Sequence, residues 1–192
     1  MTLSLATGSL KAPLKVRKDD LYETPEVATR ALLRCEDLPH RIWEPACGRG
    51  AIARVLEGAD HFVHATDLVS YGYGTGGRDF LLELEPPTGF DCIVTNPPFK
   101  LATEFIEHAL ALVPRVVILA RLALLESVRR TKILDGGDLA RVHVFRKRLP
   151  FMHRDGYEGP KNSNSGMAFA WFVLDKAHSG PTELRRISWE RP

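Results

Sequence analysis

The chain has 192 residues, of which 44% are hydrophobic and 26% charged, and its net charge is +2 at neutral pH. That balance suits one soluble globular domain with a core of its own and leaves little room for a second. The first 20 residues lack an apolar stretch long enough for a signal peptide or a membrane span, and bulk charge alone does not announce a nucleic-acid binder.

Residues 1–20 are small, polar and basic, and read as a flexible arm. Thr24-Pro25-Glu26 then opens a helix that runs to about Arg34. Thr24 can cap it, Pro25 fits the first helical position, Glu26 suits the positive helix end, and Val27, Leu32 and Leu33 supply an apolar face. Arg41–Glu44 reads as a short strand that breaks into Pro45-Ala46-Cys47-Gly48-Arg49-Gly50, followed by a helix with Ile52, Val55 and Leu56 on one face. Phe62–Thr66 is a second strand ending at Asp67, and 71–78 is a glycine-rich loop. Phe90–Thr95 is a buried strand stopped by Asn96-Pro97-Pro98-Phe99. An amphipathic helix follows at 101–112, and Val116–Ala120 is a continuous apolar strand. Segments 141–145 and 168–174 read as late strands flanking a loop-like stretch at 149–167. Alternating strands and helices point to an α/β, Rossmann-like sandwich: a mostly parallel sheet covered on both faces, closed by an antiparallel edge strand.

In open α/β sheets, ligands sit beyond the carboxyl ends of the strands. Three such ends carry suitable groups here. Gly48 and Gly50 permit a tight turn and a close approach to a ligand, and Glu44 sets a carboxylate beside that turn for a cationic group. Asp67 suits ribose hydroxyls. Asp79 can accept from an adenine amino group while Phe80 packs on the ring. Taken singly, the glycines read as a plain turn and either aspartate as a helix cap. Taken in order, they describe a site for an amino acid, a ribose and an adenine, which together are S-adenosylmethionine. The full glycine spacing of a dinucleotide site is missing, and the loop has no P-loop lysine.

Asn96-Pro97-Pro98-Phe99 is the second constellation. Its prolines remove two N–H donors and stiffen the loop, leaving carbonyls free to accept. The Asn96 side-chain oxygen and the Pro97 carbonyl can take both protons of an exocyclic amine, and Phe99 can stack on the base. Positioning and electrostatics then suffice for methyl transfer in line. The bland alternative is a strand-ending turn, which is how Pro86-Pro87 reads.

The segments EPACGRG, TDL, RDF and DCIVTNPPF resemble, in the same order, the cofactor and catalytic motifs of N6-adenine DNA methyltransferases, and Tyr22-Glu23-Thr24-Pro25 resembles the motif that precedes them. Residues 121–127 and 164–168 are similar to segments of small phage-type members. The resemblance covers roughly residues 20–175 and implies a methyltransferase domain at 21–176, flanked by the arm and by a tail at 177–192. It implies that Tyr22, Thr24 and Pro25 help seat the methionine end of the cofactor, with Glu44, Pro45, Ala46, Gly48 and Gly50 around it. Asp67 and Leu68 would meet the ribose, and Asp79 and Phe80 the adenine. Asn96, Pro97, Pro98 and Phe99 would act on the target base, with Asn96 also touching the cofactor.

Larger relatives carry a separate target-recognition domain, for which this sequence offers no segment, so specificity is expected to be weak or to come from a homodimer rather than a monomer. The partner is expected to be DNA, with RNA open. Arg146, Lys147, Arg148, His153 and Arg154 are the candidate phosphate contacts, although each also reads as a solvated charge, as do Lys11–Lys18 and Arg129, Arg130 and Lys132. A base in a duplex must be flipped out, which favours single strands or weak pairs. Protein glutamine remains open as an acceptor, and so does a catalytically silent cofactor-binding subunit; an NAD-type oxidoreductase fits poorly. Cys35, Cys47 and Cys92 read as reduced thiols of a cytoplasmic protein. His108, His143, His153 and His178 read as surface or packing residues, and the sequence suggests no metal.

Overall fold

The computed structural model describes residues 21–150 and 166–190. Its strands are β1 (Arg41–Glu44), β2 (Phe62–Ala65), β3 (Cys92–Thr95), β4 (Arg115–Arg121), β5 (Leu139–Phe145), β6 (Phe169–Asp175) and β7 (Glu183–Ile187). The helices are α1 (Glu26–Leu33), α2 (Ala53–Glu57), α3 (Ala102–Leu112) and α4 (Thr131–Leu134). All seven strands join one sheet in the order β2-β1-β3-β4-β6-β5-β7. β6 runs antiparallel to both its neighbours, and the remaining pairs are parallel. The reversed strand therefore lies inside the sheet, with β5 and β7 beyond it, rather than at the edge.

Both faces of the sheet are buried, which explains why its central strands read as unbroken apolar runs. Along β4, Val116, Ile118 and Ala120 pack with Phe105 and Ile106 of α3 and Phe172 of β6. Val117 and Leu119 point the other way, into a cluster with Leu32 of α1, Ile52 and Leu56 around α2, and Trp171 of β6. Each of the valine, leucine, isoleucine and phenylalanine side chains among them contributes about 1.5–3 kcal/mol when fully buried.

Helix α1 differs in detail from its sequence reading. Its buried face is Ala28, Thr29, Ala31 and Leu32, with Val27 and Leu33 only half-buried. Small residues let the helix lie close to the sheet, where the Trp171 indole donates to the Ala28 carbonyl at 3.0 Å. Pro25 occupies the cap position rather than the first turn, and no side chain caps the helix. The Thr24 hydroxyl is engaged elsewhere, with Asn96. Strand β7 falls in the segment that reads as a tail. It is joined to β5 through its backbone while its side chains stay largely exposed, so no apolar alternation betrays it. His153 and Arg154 lie outside the described residues. No helix among the described residues is long and apolar enough to cross a membrane.

One carboxylate ties α1 to the sheet. Glu36, just past α1, accepts from Arg115 at 2.8 Å, from Arg141 Nη2 at 2.9 Å and from His143 Nε2 at 2.6 Å. His143 is thus a bonded core residue, fully buried on β5. Burial alone would raise the Glu36 pKa, but the hydrogen bonds from His143 and Arg141 outweigh it and hold the value at about 2. A depressed folded pKa contributes stability that is present above the ordinary carboxylate range and lost as pH falls through the folded value. Thermal unfolding is expected to lose stability progressively between pH 4.5 and 2, the window of that shift. Glu36→Gln is expected to flatten this loss while costing about 3–5 kcal/mol at neutral pH, because it leaves two guanidinium groups without their partner. Denaturant melts of both proteins across pH check it.

Candidate functional site

Beyond the carboxyl ends of β1, β2 and β3 lies a cavity of about 320 Å³, a size suited to a small-molecule ligand. Its lining includes most of the cofactor set read from the sequence: Tyr22, Thr24, Glu44, Pro45, Ala46, Asp67, Leu68, Asp79, Phe80, Asn96 and Pro98. Pro25, Gly48, Gly50, Pro97 and Phe99 are not among the lining residues, although each adjoins one in the chain. Glu23, Arg49, Tyr71, Arg78, Leu101 and Phe105 also line it, although the sequence reading gives them no role. They come from four separate segments, and no local spacing marks them.

Gly48 and Gly50 both adopt left-handed backbone, with φ of 52° and 82°. A side chain at either would also collide, with Leu21 at 2.6 Å or with the Tyr73 ring at 2.6 Å. The turn they make presents the Gly48 N–H to Asp67 Oδ2 at 2.8 Å, while Val69 N–H reaches Oδ1 at 2.9 Å. Each carboxylate oxygen keeps a lone pair for a ligand, so Asp67 is held rigidly at the end of β2. Asp79 does two jobs, since its Oδ1 accepts from Leu81 N–H at 3.1 Å to cap the turn over 80–82 while its residue lines the cavity. Phe80 is only 3% exposed. It packs against Trp43 and Phe105 at centroid distances of 5.2 and 4.9 Å, so it serves as a core-backed wall more than as an open stacking face.

Glu44 is the most unusual group in the cavity wall. It is fully buried, and its Oε2 has no hydrogen-bond partner among the described residues. Burial raises its pKa well above the ordinary carboxylate value; a backbone hydrogen bond from Ala53 opposes this and the charge of Asp67 adds to it. A buried carboxyl with a vacant oxygen is suited to receive a cationic or N–H donor, which would offset the cost of its burial.

The Asn96 loop closes the cavity on its β3 side. Asn96 Nδ2 donates to the Tyr22 carbonyl at 3.2 Å and to Thr24 Oγ1 at 3.0 Å. That network fixes which end of the amide is nitrogen. It leaves Oδ1 buried with no partner among the described residues. The Pro98 carbonyl accepts from Leu101 N–H, and no hydrogen bond among the described residues reaches the Pro97 carbonyl. Two acceptors thus stay vacant at neighbouring positions.

Phe99 departs from the sequence reading. Tyr22 stacks on it at 4.6 Å, Phe169 packs at 5.7 Å, and the Arg121 guanidinium lies over its ring at 4.3 Å. A base that stacks on Phe99 must first displace one of them. Among the cationic candidates, the Arg146 and Arg148 side chains are exposed and make no ion pair among the described residues, whereas Lys147 pairs with Glu190 at 2.7 Å and covers Trp189. Arg130 is spent on structure, donating to Thr103 and to the carbonyls of Ala123, Leu124 and Glu126.

No known protein-family profile matches the chain, and no curated protein matches it in sequence. Several solved structures share its fold. A modification subunit assigned to a type I restriction enzyme of Vibrio vulnificus is 15% identical over 86% of this chain, with a TM-score of 0.58. A protein of Listeria monocytogenes assigned as a class I S-adenosylmethionine-dependent methyltransferase is 13% identical over 84% of this chain, with a TM-score of 0.55. A protein of Pyrococcus horikoshii assigned as an RNA methyltransferase is 13% identical over 81% of this chain, with a TM-score of 0.57. The chain spans about half the length of the first, 47%, then 62% of the second and 87% of the third. At these identities the likeness is one of fold, and that fold is the Rossmann-like sheet of class I methyltransferases.

Glu44 makes a measurable signature. A carboxyl whose folded pKa is raised contributes stability fully present below its unfolded value and lost as pH rises through the folded one. The ligand-free protein is therefore expected to lose stability as pH rises above 4.5. Glu44→Gln, which copies the shape of the protonated acid, is expected to flatten that slope. Thermal melts from pH 4 to 9 compare the two.

Proposed function

We propose that this chain transfers a methyl group from S-adenosylmethionine to the exocyclic N6 of adenine in DNA. The observation that carries the reading is the state of Asn96, whose amide protons are committed to Tyr22 and Thr24 while its buried Oδ1 stays vacant. The fit of the cofactor rests on the cavity's own groups: the unpartnered Glu44 oxygen for a donor on the cationic amino-acid end, the oriented Asp67 carboxylate for ribose hydroxyls, and Asp79 beside Phe80 for an adenine. When bound, S-adenosylmethionine supplies an electrophilic methyl on a sulfonium.

The chain's own residues then act on the amine. Asn96 Oδ1 accepts one amino proton and the Pro97 carbonyl the other. Both acceptors draw density onto nitrogen and fix its orientation at the cavity. With the cofactor bound, methylation of that nitrogen would form a C–N bond at the expense of the sulfonium S–CH₃ bond, and the amine's surplus proton would leave to solvent. Because the amine is activated by hydrogen bonding alone, no strong base is required.

Support for a nucleic-acid substrate comes from Arg121, Arg146 and Arg148, which make no ion pairs among the described residues and follow or end strands on the cavity's side of the sheet. An adenine in RNA is the second reading, favoured by the fold shared with a protein assigned as an RNA methyltransferase.

Incubation with S-adenosylmethionine and single- or double-stranded DNA or RNA, followed by nucleoside mass spectrometry, tests the proposal. N6-methyladenine from DNA is expected, lowered roughly 10²–10³-fold in Asn96→Ala. No methylated base in any nucleic acid, with cofactor still bound, would sink it. Thr24→Val removes one acceptor from the Asn96 amide, and the expected cost of about one hydrogen bond lowers kcat roughly ten-fold. Thr24→Ser, which keeps the oxygen, is expected to restore it.

A further inference from the structure

Strand β4 begins and ends with an arginine, and the two differ in their ion pairing. Arg115 at its start is paired with Glu36 at 2.8 Å, although its Nε, too, is buried without a hydrogen-bond partner among the described residues. Arg121 at its end has no ion pair among the described residues, and its Nε is buried without a hydrogen-bond partner among them. What holds it is the Phe99 ring, 4.3 Å from the guanidinium carbon. A guanidinium partly withdrawn from water and lacking an anion is a costly arrangement that a ring quadrupole only partly offsets. Arg130, a few residues on, makes four hydrogen bonds and accounts for the stapling of this segment.

The ring itself is surrounded by three groups, and only one can leave easily. Tyr22 is tethered through its carbonyl to Asn96. Phe169 is 4% exposed and paired within β6 directly opposite Arg121. Arg121 has a long side chain whose hold on the ring breaks no hydrogen bond when it moves. A planar guanidinium fork matches phosphate oxygens two at a time, a far better partner than a ring face. Other cations lie along the same end of the sheet. Arg146 directly follows β5 and Arg186 lies near the end of the parallel β7; both are exposed and make no ion pair among the described residues.

We propose that Arg121 positions the target nucleotide: it covers the Phe99 ring in the free protein and swings off to grip that nucleotide's phosphate when the base enters. This rests on the nucleic-acid reading above. Arg121 is a positioning residue, and the Asn96 loop performs the chemistry without it.

The test uses the full chain, a single-stranded oligodeoxynucleotide with one adenine, and the variants Arg121→Met and Arg121→Lys. Methionine keeps a long apolar stem against Phe99, so the fold is preserved, and thermal melts check this. For Arg121→Met the expected result is a KM for the oligonucleotide raised at least ten-fold, with unchanged affinity for S-adenosylmethionine. Its slope of log Kd against log salt is expected to be shallower by about 0.7, one single-strand phosphate contact. Lysine is expected to restore the salt slope but only part of KM. A neutral methylphosphonate at the target phosphate is expected to bring the wild type down to the level of Arg121→Met. Should the wild type methylate the oligonucleotide while Arg121→Met keeps its KM and salt slope, the Arg121 proposal alone is overturned. It is equally overturned if the difference between the two proteins survives the methylphosphonate. A wild type that neither binds nor methylates any nucleic acid overturns the functional reading together with it.

Discussion

The Asn96 side-chain amide has two protons and one carbonyl, and the fold commits the protons before any ligand arrives. The Tyr22 carbonyl and the Thr24 hydroxyl take them, which fixes the amide's orientation and turns Oδ1 into a vacant, buried acceptor. The same two bonds fasten the stretch leading into α1 across the end of β3, more than 70 residues away in sequence. They bring Tyr22 against Phe99 and help close the cavity over Glu44 and Asp67. Position and polarity at the site are set by one side chain whose partners lie on another segment. A loop stiffened by two prolines is what lets so few bonds hold it.

Two buried glutamates show how context decides the chemistry of one residue type. Glu36 is surrounded by Arg115, Arg141 and His143, stays ionised far into acid, and locks α1 to the sheet. Glu44 is driven toward its neutral form by burial and, to a smaller extent, by the like charge of Asp67, against the opposing hydrogen bond from the Ala53 backbone. The first glutamate completes a network and the second leaves one open. Buried polar groups are ordinarily satisfied, so an open oxygen in a cavity wall is a stronger pointer to a ligand than any paired charge elsewhere. Vacant Asn96 Oδ1 and the buried Nε of Arg121 belong to the same class, and all three lie at or beside the carboxyl ends of β1, β3 and β4.

Much of this was legible from residue order. Apolar runs at 92–95 and 116–120 announced strands buried on both faces, and the glycines at 48 and 50 announced a turn that only a residue without a side chain can make. Strand ends carrying Glu44, Asp67 and Asn96 in succession outlined the cavity, because parallel strands deliver their carboxyl ends to one side; Asp79, read as a further strand end, instead caps a turn in the connection between β2 and β3. Local patterns could not supply partners. Thr24 read as a helix cap because a threonine before Pro-Glu usually is one, yet its hydroxyl is used on a residue 72 positions away. Phe99 read as an open stacking face because its neighbours Tyr22, Arg121 and Phe169 come from three distant segments. Strand β7 went unseen because its pairing is through the backbone and its side chains face water.

The sequence by itself determined which groups stand at which strand ends, since hydrophobic periodicity, proline stiffness and glycine freedom act within a few residues of where they are written. The tertiary structure alone decided which of those groups are spent and which are vacant. Satisfaction of a hydrogen bond or a charge is a property of two groups brought together, and in this chain the second group is generally far away along the sequence.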